Sequence, residues 1–227
     1  MENGLAETNP TVGTAKPKAP PSRDRVLGDQ ELLAVWQAAG DDDFGKIVRL
    51  LVVTAQRRSE VGGMAWSELD LERGIWNRPG RRRKNGRERE VPLGALALEI
   101  IASVPQVVGR DVLFGARTDR GFTSWAAHKR ALDARPGDRV RGWTLHDLRR
   151  TAATRMADLG VPPHVIEEVL NHRSGHRGGV AGIYNRSRYE REVKAAVATW
   201  DRHVTALIEG REHRKVVPIG SAGSDNS

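Results

Sequence analysis

The chain has 227 residues, which is enough for one well-buried domain and too few for two large ones. Its 37 Lys and Arg residues against 29 Asp and Glu residues give a formal net charge of +8, which favours a polyanionic partner, although a basic solvated surface would carry the same charge. The lack of cysteine excludes a disulfide framework and a cysteine-based zinc site. The N-terminus has no apolar signal region and no stretch approaches ~18 consecutive apolar residues, so we expect a cytoplasmic protein with no membrane partner.

The chain begins with a segment that has little to bury. Residues 1–24 contain four prolines, which indicates a flexible leader or linker. Asp29 is expected to cap the first helix. Residues 47–53 are apolar nearly all round, so the second helix should be buried.

A hairpin is predicted next. Short strands are expected around Ile75 and over residues 88–92, and the Asn85-Gly86 pair between them tolerates the positive φ angles of a tight turn. Residues 93–104 are rich in Ala, Leu and Ile and return to a helical pattern.

The second half of the chain is predicted to be helical. Ser124 should cap a helix that runs through Ala134, and Thr144 with Asp147 resembles a capping box for the next one. That helix should stop at Gly160, before residues 162–170 form another.

The last predicted helix covers about residues 189–209. We therefore expect a mainly α fold with one small antiparallel β-sheet over residues 25–210, followed by a flexible C-terminal tail at 211–227.

Candidate functional residues begin with His146 and Arg149. Their i, i+3 spacing near a helix N-terminus projects both side chains the same way, beside backbone N–H groups that favour an anion. A surface histidine and arginine on a capped helix is the alternative, because so short a motif is weak on its own.

Arg57 follows the buried second helix and lies three residues before Glu60. An arginine at the rim of a core needs a partner, and Glu60 could hold its guanidinium for bidentate phosphate binding. The alternative is an ordinary intrahelical ion pair on a solvated face.

Lys84 lies in a basic run beside the Asn85-Gly86 turn. A long side chain there can reach into a cleft, and an ammonium could protonate a leaving oxygen. Such a run is more often a solvated hairpin that touches DNA phosphates without sequence preference. The candidate DNA-binding residues are Arg81, Arg82, Arg83, Arg87, Arg150 and Arg173.

His172 ends a helix, and two tyrosines follow it. His172 and His176 form an i, i+4 pair, but no third ligand at a recognisable spacing accompanies them, so we expect no metal ion. Tyr184 is favoured as a nucleophile over Tyr189 because small residues precede it and would allow close approach to DNA. A tyrosine that only packs is the alternative.

Taken in order, these segments resemble the catalytic domain of the tyrosine recombinases, the phage-type integrase family. The resemblance covers about residues 25–210 and rests on the segment 54–61, the hairpin segment 84–93, the His146-Asp147-Leu148-Arg149 box, and Leu170-Asn171-His172 with Tyr184. It implies six catalytic positions, all filled here: Arg57, Lys84, His146, Arg149, His172 and Tyr184.

The resemblance also implies a reaction on double-stranded DNA without a cofactor. Tyr184 would attack a phosphodiester to form a 3′-phosphotyrosine, and the chain would act in site-specific recombination or integration. The C-terminal segment would dock on a neighbouring copy during assembly on DNA. A noncatalytic DNA-binding remnant and a nicking activity like that of type IB topoisomerases are the alternatives.

Two departures from the family pattern bear on these expectations. Asn171 stands where many relatives have Gly, and the spacing from His172 to Tyr184 is longer than in compact relatives. Members normally carry a helical core-binding domain before the catalytic domain, so we expect a truncated chain or one that works with a separate partner for the other half of the DNA clamp.

Overall fold

The computed structural model describes residues 24–80, 88–116, 120–136, 139–171 and 186–211, with side chains in the last range described from residue 190. These ranges contain the following helices: α1 Asp29–Ala38, α2 Asp43–Thr54, α3 Arg58–Val61, α4 Ala95–Ala102, α5 Trp125–Ala134, α6 Leu145–Asp158, α7 Pro163–Leu170 and α8 Arg186–Ile208. They also contain a 3₁₀ turn, Trp66–Glu68, and three strands: β1 Leu69–Asp70, β2 Ile75–Arg78 and β3 Arg89–Pro92. The prediction of a mainly α fold with a small antiparallel sheet is confirmed.

The sheet has the order β1-β2-β3, and both pairs of strands are antiparallel. β2 and β3 form the predicted hairpin, in which Trp76 lies opposite Val91 and Arg78 lies opposite Arg89. Asn85 and Gly86, on which the hairpin prediction depended, lie outside the described residues. Because side chains alternate across a strand, Trp76 and Arg78 share a face, and both are buried.

Helix α2 lies at the centre of the core. Its apolar residues surround the helix axis, so it must be covered on all sides, as predicted. The helices α1, α3, α4, α6 and α8 all pack against it.

The helix ends show which local signals set the boundaries. Gly28, not Asp29, occupies the N-cap of α1, and its backbone N–H donates to Oε2 of Glu31 (2.9 Å). The prediction that Asp29 caps this helix is therefore wrong, because Glu31 satisfies the free N–H group from inside the first turn. At α6 the prediction is confirmed in part, since the N–H of Thr144 donates to Oδ2 of Asp147 (2.8 Å).

Helix α8 is an integral part of this domain. Trp200 is fully buried, and its Nε1 donates to the carbonyl oxygen of Val52 in α2 (2.8 Å). Asp201 accepts from the backbone N–H of Leu96 (3.3 Å), so α8 supplies a cap for the first turn of α4. Among the described helices, none is long and apolar enough to cross a membrane.

Candidate active site

Arg149 lies on the first turns of α6, where two other helices end. One terminal nitrogen of its guanidinium donates to the carbonyl oxygen of Ala55 (2.6 Å), and the other donates to the carbonyl oxygen of Leu170. Ala55 closes α2 with a left-handed backbone (φ 54°), and Leu170 is the last residue of α7. Carbonyl groups at helix C-termini carry partial negative charge, so they stabilise the buried guanidinium and fix its orientation.

The electrostatic environment of Arg149 is strongly cationic. Burial, and after it the charge of Arg57, lower the pKa of Arg149 to about 10, against the carboxylate of Glu60. Arg78 and Arg89 act in the same direction as Arg57. Arg149 remains charged at neutral pH, and a bound anion would relieve the repulsion among these guanidinium groups.

Arg57 and Glu60 form the contact that their spacing indicates. The backbone N–H of Arg57 donates to Oε2 of Glu60 (3.0 Å), and its guanidinium donates to Oε1 (3.3 Å). The side chain of Arg57 is 41% exposed, so it lies at the solvent edge of the cluster. Glu60 therefore holds the backbone N–H and one terminal nitrogen of Arg57, and the other N–H groups of the guanidinium can donate to an anion.

Arg78 is a member of this cluster that sequence reasoning missed. It donates to both carboxylate oxygens of Glu60 (2.7 and 3.0 Å) and to Oε1 of Gln56 (2.8 Å), and it lies over the ring of Trp76 at 5.4 Å. Gln56 in turn donates to the carbonyl oxygen of Val169 in α7 (2.9 Å). The only sequence signal was strand alternation, which puts Arg78 on the same face as the buried Trp76.

His146 lies in the first turn of α6 and is exposed. Partial burial and the charges of Arg150 and Arg149 lower its pKa below the ordinary value, while Asp147 opposes them. The imidazole is therefore favoured in its neutral form at pH 7, in which one ring nitrogen can accept a proton. Arg150, a candidate DNA contact, donates to Oδ1 of Asp147 (2.7 Å).

Arg89 on β3 reaches the end of α7 beside this cluster. Its guanidinium donates to Oδ1 of Asn171 (2.8 Å) and to the carbonyl oxygen of Glu168, and it lies 3.5 Å from Oε2 of Glu168. Asn171 has a left-handed backbone (φ 54°, ψ 43°). Asparagine tolerates this conformation more readily than most residues other than glycine.

The structure brings five of the candidate site residues together: Arg57, Glu60, His146, Arg149 and Arg150. The other candidates lie outside the described residues: Arg81, Arg82, Arg83, Lys84, Arg87, His172, Arg173 and Tyr184. The two undescribed segments that contain these candidates, 81–87 and 172–185, begin near the arginine cluster, since Arg78 lies shortly before the first and Asn171 directly before the second. The roles of these residues stay predictions.

The fold is that of tyrosine recombinase catalytic domains. A solved structure of the integrase from mycobacterium phage Brujita superposes with a TM-score of 0.58 at 16% identity, over 89% of this chain and 69% of that one. A model of the phage integrase family matches residues 32–191. The chain belongs to the phage integrase family.

Two relatives from Escherichia coli cover nearly all of this chain. The shufflon-specific DNA recombinase is 27% identical over 92% of this chain and 56% of its own length. The prophage integrase IntA of strain K12 is 31% identical over 92% of this chain and 52% of its own length. The chain thus spans about half the length of these two relatives.

Proposed function

We propose that residues 25–210 are the catalytic domain of a site-specific DNA recombinase, which cleaves and rejoins DNA strands through a 3′-phosphotyrosyl intermediate. The observation that carries this proposal is the burial of Arg149 among the guanidinium groups of Arg57, Arg78 and Arg89. Buried, mutually repelling cations with a strongly perturbed pKa are typical of functional sites, and their charge suits a phosphate. The names of the two Escherichia coli relatives, a DNA recombinase and a prophage integrase, support the same reaction.

Arg149 would bind the scissile phosphate in a fixed orientation. Its carbonyl contacts engage two of the five N–H groups of a guanidinium, so further N–H groups can donate to phosphate oxygens. Together with Arg57 and His172, it would stabilise the charge that develops on the pentavalent phosphorus. Because the protein already holds Arg149, little reorganisation would accompany the reaction.

Tyr184 would supply the nucleophile. Its oxygen forms a bond to phosphorus as the bond from phosphorus to the 5′ oxygen breaks, which leaves a 3′-phosphotyrosine and a 5′-hydroxyl. The tyrosine proton passes to the neutral imidazole of His146, and Lys84 gives a proton to the departing 5′ oxygen. Rejoining reverses these steps with a 5′-hydroxyl from a partner strand, and no cofactor is needed because the phosphotyrosine retains the phosphodiester bond energy.

Double-stranded DNA is the proposed partner, and the proposed location is the cytoplasm. The hairpin residues Arg81, Arg82, Arg83 and Arg87, with Arg150 and Arg173, would contact DNA phosphates. Copies would assemble on DNA through the C-terminal segment. One face of α8 packs in the core of its own domain, so we assign the docking to the segment that follows this helix.

Covalent capture on a nicked suicide duplex tests this function. The duplex is selected from a randomised pool by binding to the protein, and the reaction is run without divalent metal and analysed on a denaturing gel. We expect a covalent adduct with the wild-type protein and with Tyr189→Phe, and none with Tyr184→Phe. Absence of an adduct on DNA that the protein binds would contradict the proposal and favour a noncatalytic DNA-binding protein.

A further inference from the structure

We propose that Arg89 and Asn171 form a positioning pair, which holds the last turn of α7 against β3 and thereby sets the carbonyl oxygen of Leu170 that orients Arg149. This inference rests on the proposed function. Neither residue is assigned a contact with DNA, so the pair acts through the segment that it holds.

The backbone of Asn171 is the first observation. It has the left-handed conformation (φ 54°, ψ 43°), which glycine adopts without steric penalty and other residues adopt less readily. A helix end alone would therefore be served at least as well by glycine. What asparagine adds is its side chain, and Oδ1 of that side chain accepts a hydrogen bond from Arg89 (2.8 Å).

The second observation is how Arg89 binds the end of α7. It contacts the carbonyl oxygen and the carboxylate of Glu168 as well as Asn171, and only 19% of its side chain is exposed. A guanidinium at the C-terminus of a helix also interacts favourably with the helix dipole. The hydrogen bonds are charge-assisted and partly buried, so they should be among the stronger polar contacts of the domain.

A second arginine contacts the same helix end from another element. Arg149 of α6 donates to the carbonyl oxygen of Leu170, one residue before Asn171. The last turn of α7 is thus held from β3 by Arg89 and from α6 by Arg149. Since Arg149 is also the proposed phosphate ligand, the pair acts on the reaction by holding the carbonyl group that orients this guanidinium.

Other contacts of α7 would keep the helix in the fold if the side chain of Asn171 were lost, but they would not fix the orientation of its last turn. The contacts of Arg149 with Leu170 and of Gln56 with Val169 would hold α7 in place without the side chain of Asn171. Without Oδ1 of Asn171, β3 holds α7 only through the contacts of Arg89 with Glu168, so the last turn of the helix is held less tightly. We therefore expect a defect in the chemical step, not in folding or in DNA affinity.

Asn171→Gly is the test variant, because it retains the left-handed backbone and removes only the acceptor. At saturating protein, we expect single-turnover adduct formation on the selected suicide duplex to slow about tenfold, as for loss of one charge-assisted hydrogen bond in the reacting state. The dissociation constant for DNA and the thermal midpoint should stay near the wild-type values. Asn171→Asp keeps an acceptor for Arg89 and should retain the wild-type rate.

Asn77→Gly is the matched control, since Asn77 is exposed on β2 and the same substitution there should leave the rate unchanged.

Arg89→Gln should slow the reaction as well. The double variant, Arg89→Gln with Asn171→Gly, should be no slower than Arg89→Gln alone, because both changes remove the same contact. A wild-type rate in Asn171→Gly, or fully additive effects in the double variant, would overturn the inference.

Failure of the proposed function gives a different result. In that case the wild-type protein binds DNA but forms no adduct that depends on Tyr184. The pair is then judged by amide hydrogen exchange, in which faster exchange at the end of α7 in Asn171→Gly than in Asn77→Gly supports it and equal exchange contradicts it.

Discussion

At the scale of single residues, Arg149 is bound by the protein on one side before any substrate is present. Its contacts with the carbonyl oxygens of Ala55 and Leu170 come from two helix ends that approach from different directions. A lysine at this position could not reproduce the planar geometry of both bonds. The arrangement favours catalysis by preorganised electrostatics, in which the donors need not move as charge develops on the phosphate.

His146 is the residue whose protonation responds to this charge. Its pKa lies below the ordinary value of 6.5, so the folded protein binds fewer protons than the unfolded chain between these two values. The contribution of His146 to stability is therefore fully present above pH 6.5 and is lost as the pH falls through the folded pKa. Adduct formation should fall in the same direction, because a protonated imidazole cannot accept the tyrosine proton.

The first prediction is that Arg150→Gln raises the pKa of His146. The substitution removes a positive charge that lowers this pKa and also frees Asp147, whose carboxylate raises it. An NMR titration of the free protein measures the pKa of His146. The protein has seven histidines, and the resonance of His146 is assigned by its loss in His146→Gln.

The matched control for this titration is Arg155→Gln on the same helix. Arg155 pairs with Asp29 and Asp158 at the other end of α6 and is not among the charges that shift His146. The histidine midpoint should not move in that variant. An unchanged midpoint in Arg150→Gln would contradict a contribution of the Arg150 charge to the pKa of His146.

At the scale of elements, Arg78 joins β2 to α3 and to the end of α2. Both oxygens of Glu60 and the side-chain oxygen of Gln56 accept from its guanidinium. Glu60 also accepts from Arg57, so the position of Arg57 depends on a buried residue in the sheet. The small sheet therefore contributes a support for the arginine cluster in addition to the hairpin that carries Lys84.

We predict that Arg78→Met lowers the free energy of unfolding by about 2–4 kcal/mol, because Gln56 and a half-buried carboxylate lose their main donor. Urea denaturation measures the change. Adding Glu60→Gln should recover part of the stability, since no uncompensated charge then remains.

Arg73→Gln provides the comparison on the same sheet. Arg73 is 61% exposed and pairs with Asp70 at 3.6 Å, so its loss should change the free energy of unfolding by less than about 0.5 kcal/mol. Equal effects of Arg78→Met and Arg73→Gln would contradict a structural role for the buried contact.

The two kinds of contact differ in how far they could be predicted. The box at Thr144 and Asp147, the hairpin and the helix end at Gly160 are local patterns, and the structure has them where the sequence indicates. Arg78 and Arg89 instead find partners far along the chain, such as Gln56 for the first and Asn171 for the second. A local sequence pattern cannot predict these partners, because only tertiary packing brings the strands near the residues that they contact.

The error at Asp29 has a related cause. Aspartate is a favoured N-cap, but Glu31 already satisfies the N–H group of Gly28, and Asp29 instead lies 3.4 Å from Arg155 of α6. The N-cap propensity of aspartate was therefore overridden by two contacts: the local one between Glu31 and Gly28, and the tertiary one between Asp29 and Arg155. The arginine cluster was predicted only where the family motif marks it, at Arg57 and Arg149.

At the scale of the whole molecule, α8 connects most of the domain. It packs against α1, α2, α4, α6 and α7 and against β3, with Val193, Val197 and Trp200 buried. Removal of α8 would expose the core, so it would not distinguish a role in assembly from a role in folding. A test of assembly must leave this helix in place.

The last prediction concerns deletion of residues 211–227, which keeps all of α8. We expect a free energy of unfolding within about 1 kcal/mol of the wild type, because the cut follows the last buried turn of the helix. Binding to a duplex with one site should be retained, whereas cooperative binding to a duplex with two sites should be lost if the tail joins neighbouring copies. Gel-shift titrations of the two duplexes measure this difference.

Trp200→Phe is the control for a general loss of stability. It removes the hydrogen bond to Val52 and part of a buried ring, which should lower the free energy of unfolding by about 1–3 kcal/mol. Cooperativity should survive in this variant at temperatures where it is folded, since no surface changes. If the deletion leaves cooperativity unchanged, the exposed face of α8 becomes the candidate docking surface. Arg191, Lys194 and Ala198 face solvent there, and their substitution would not disturb the core.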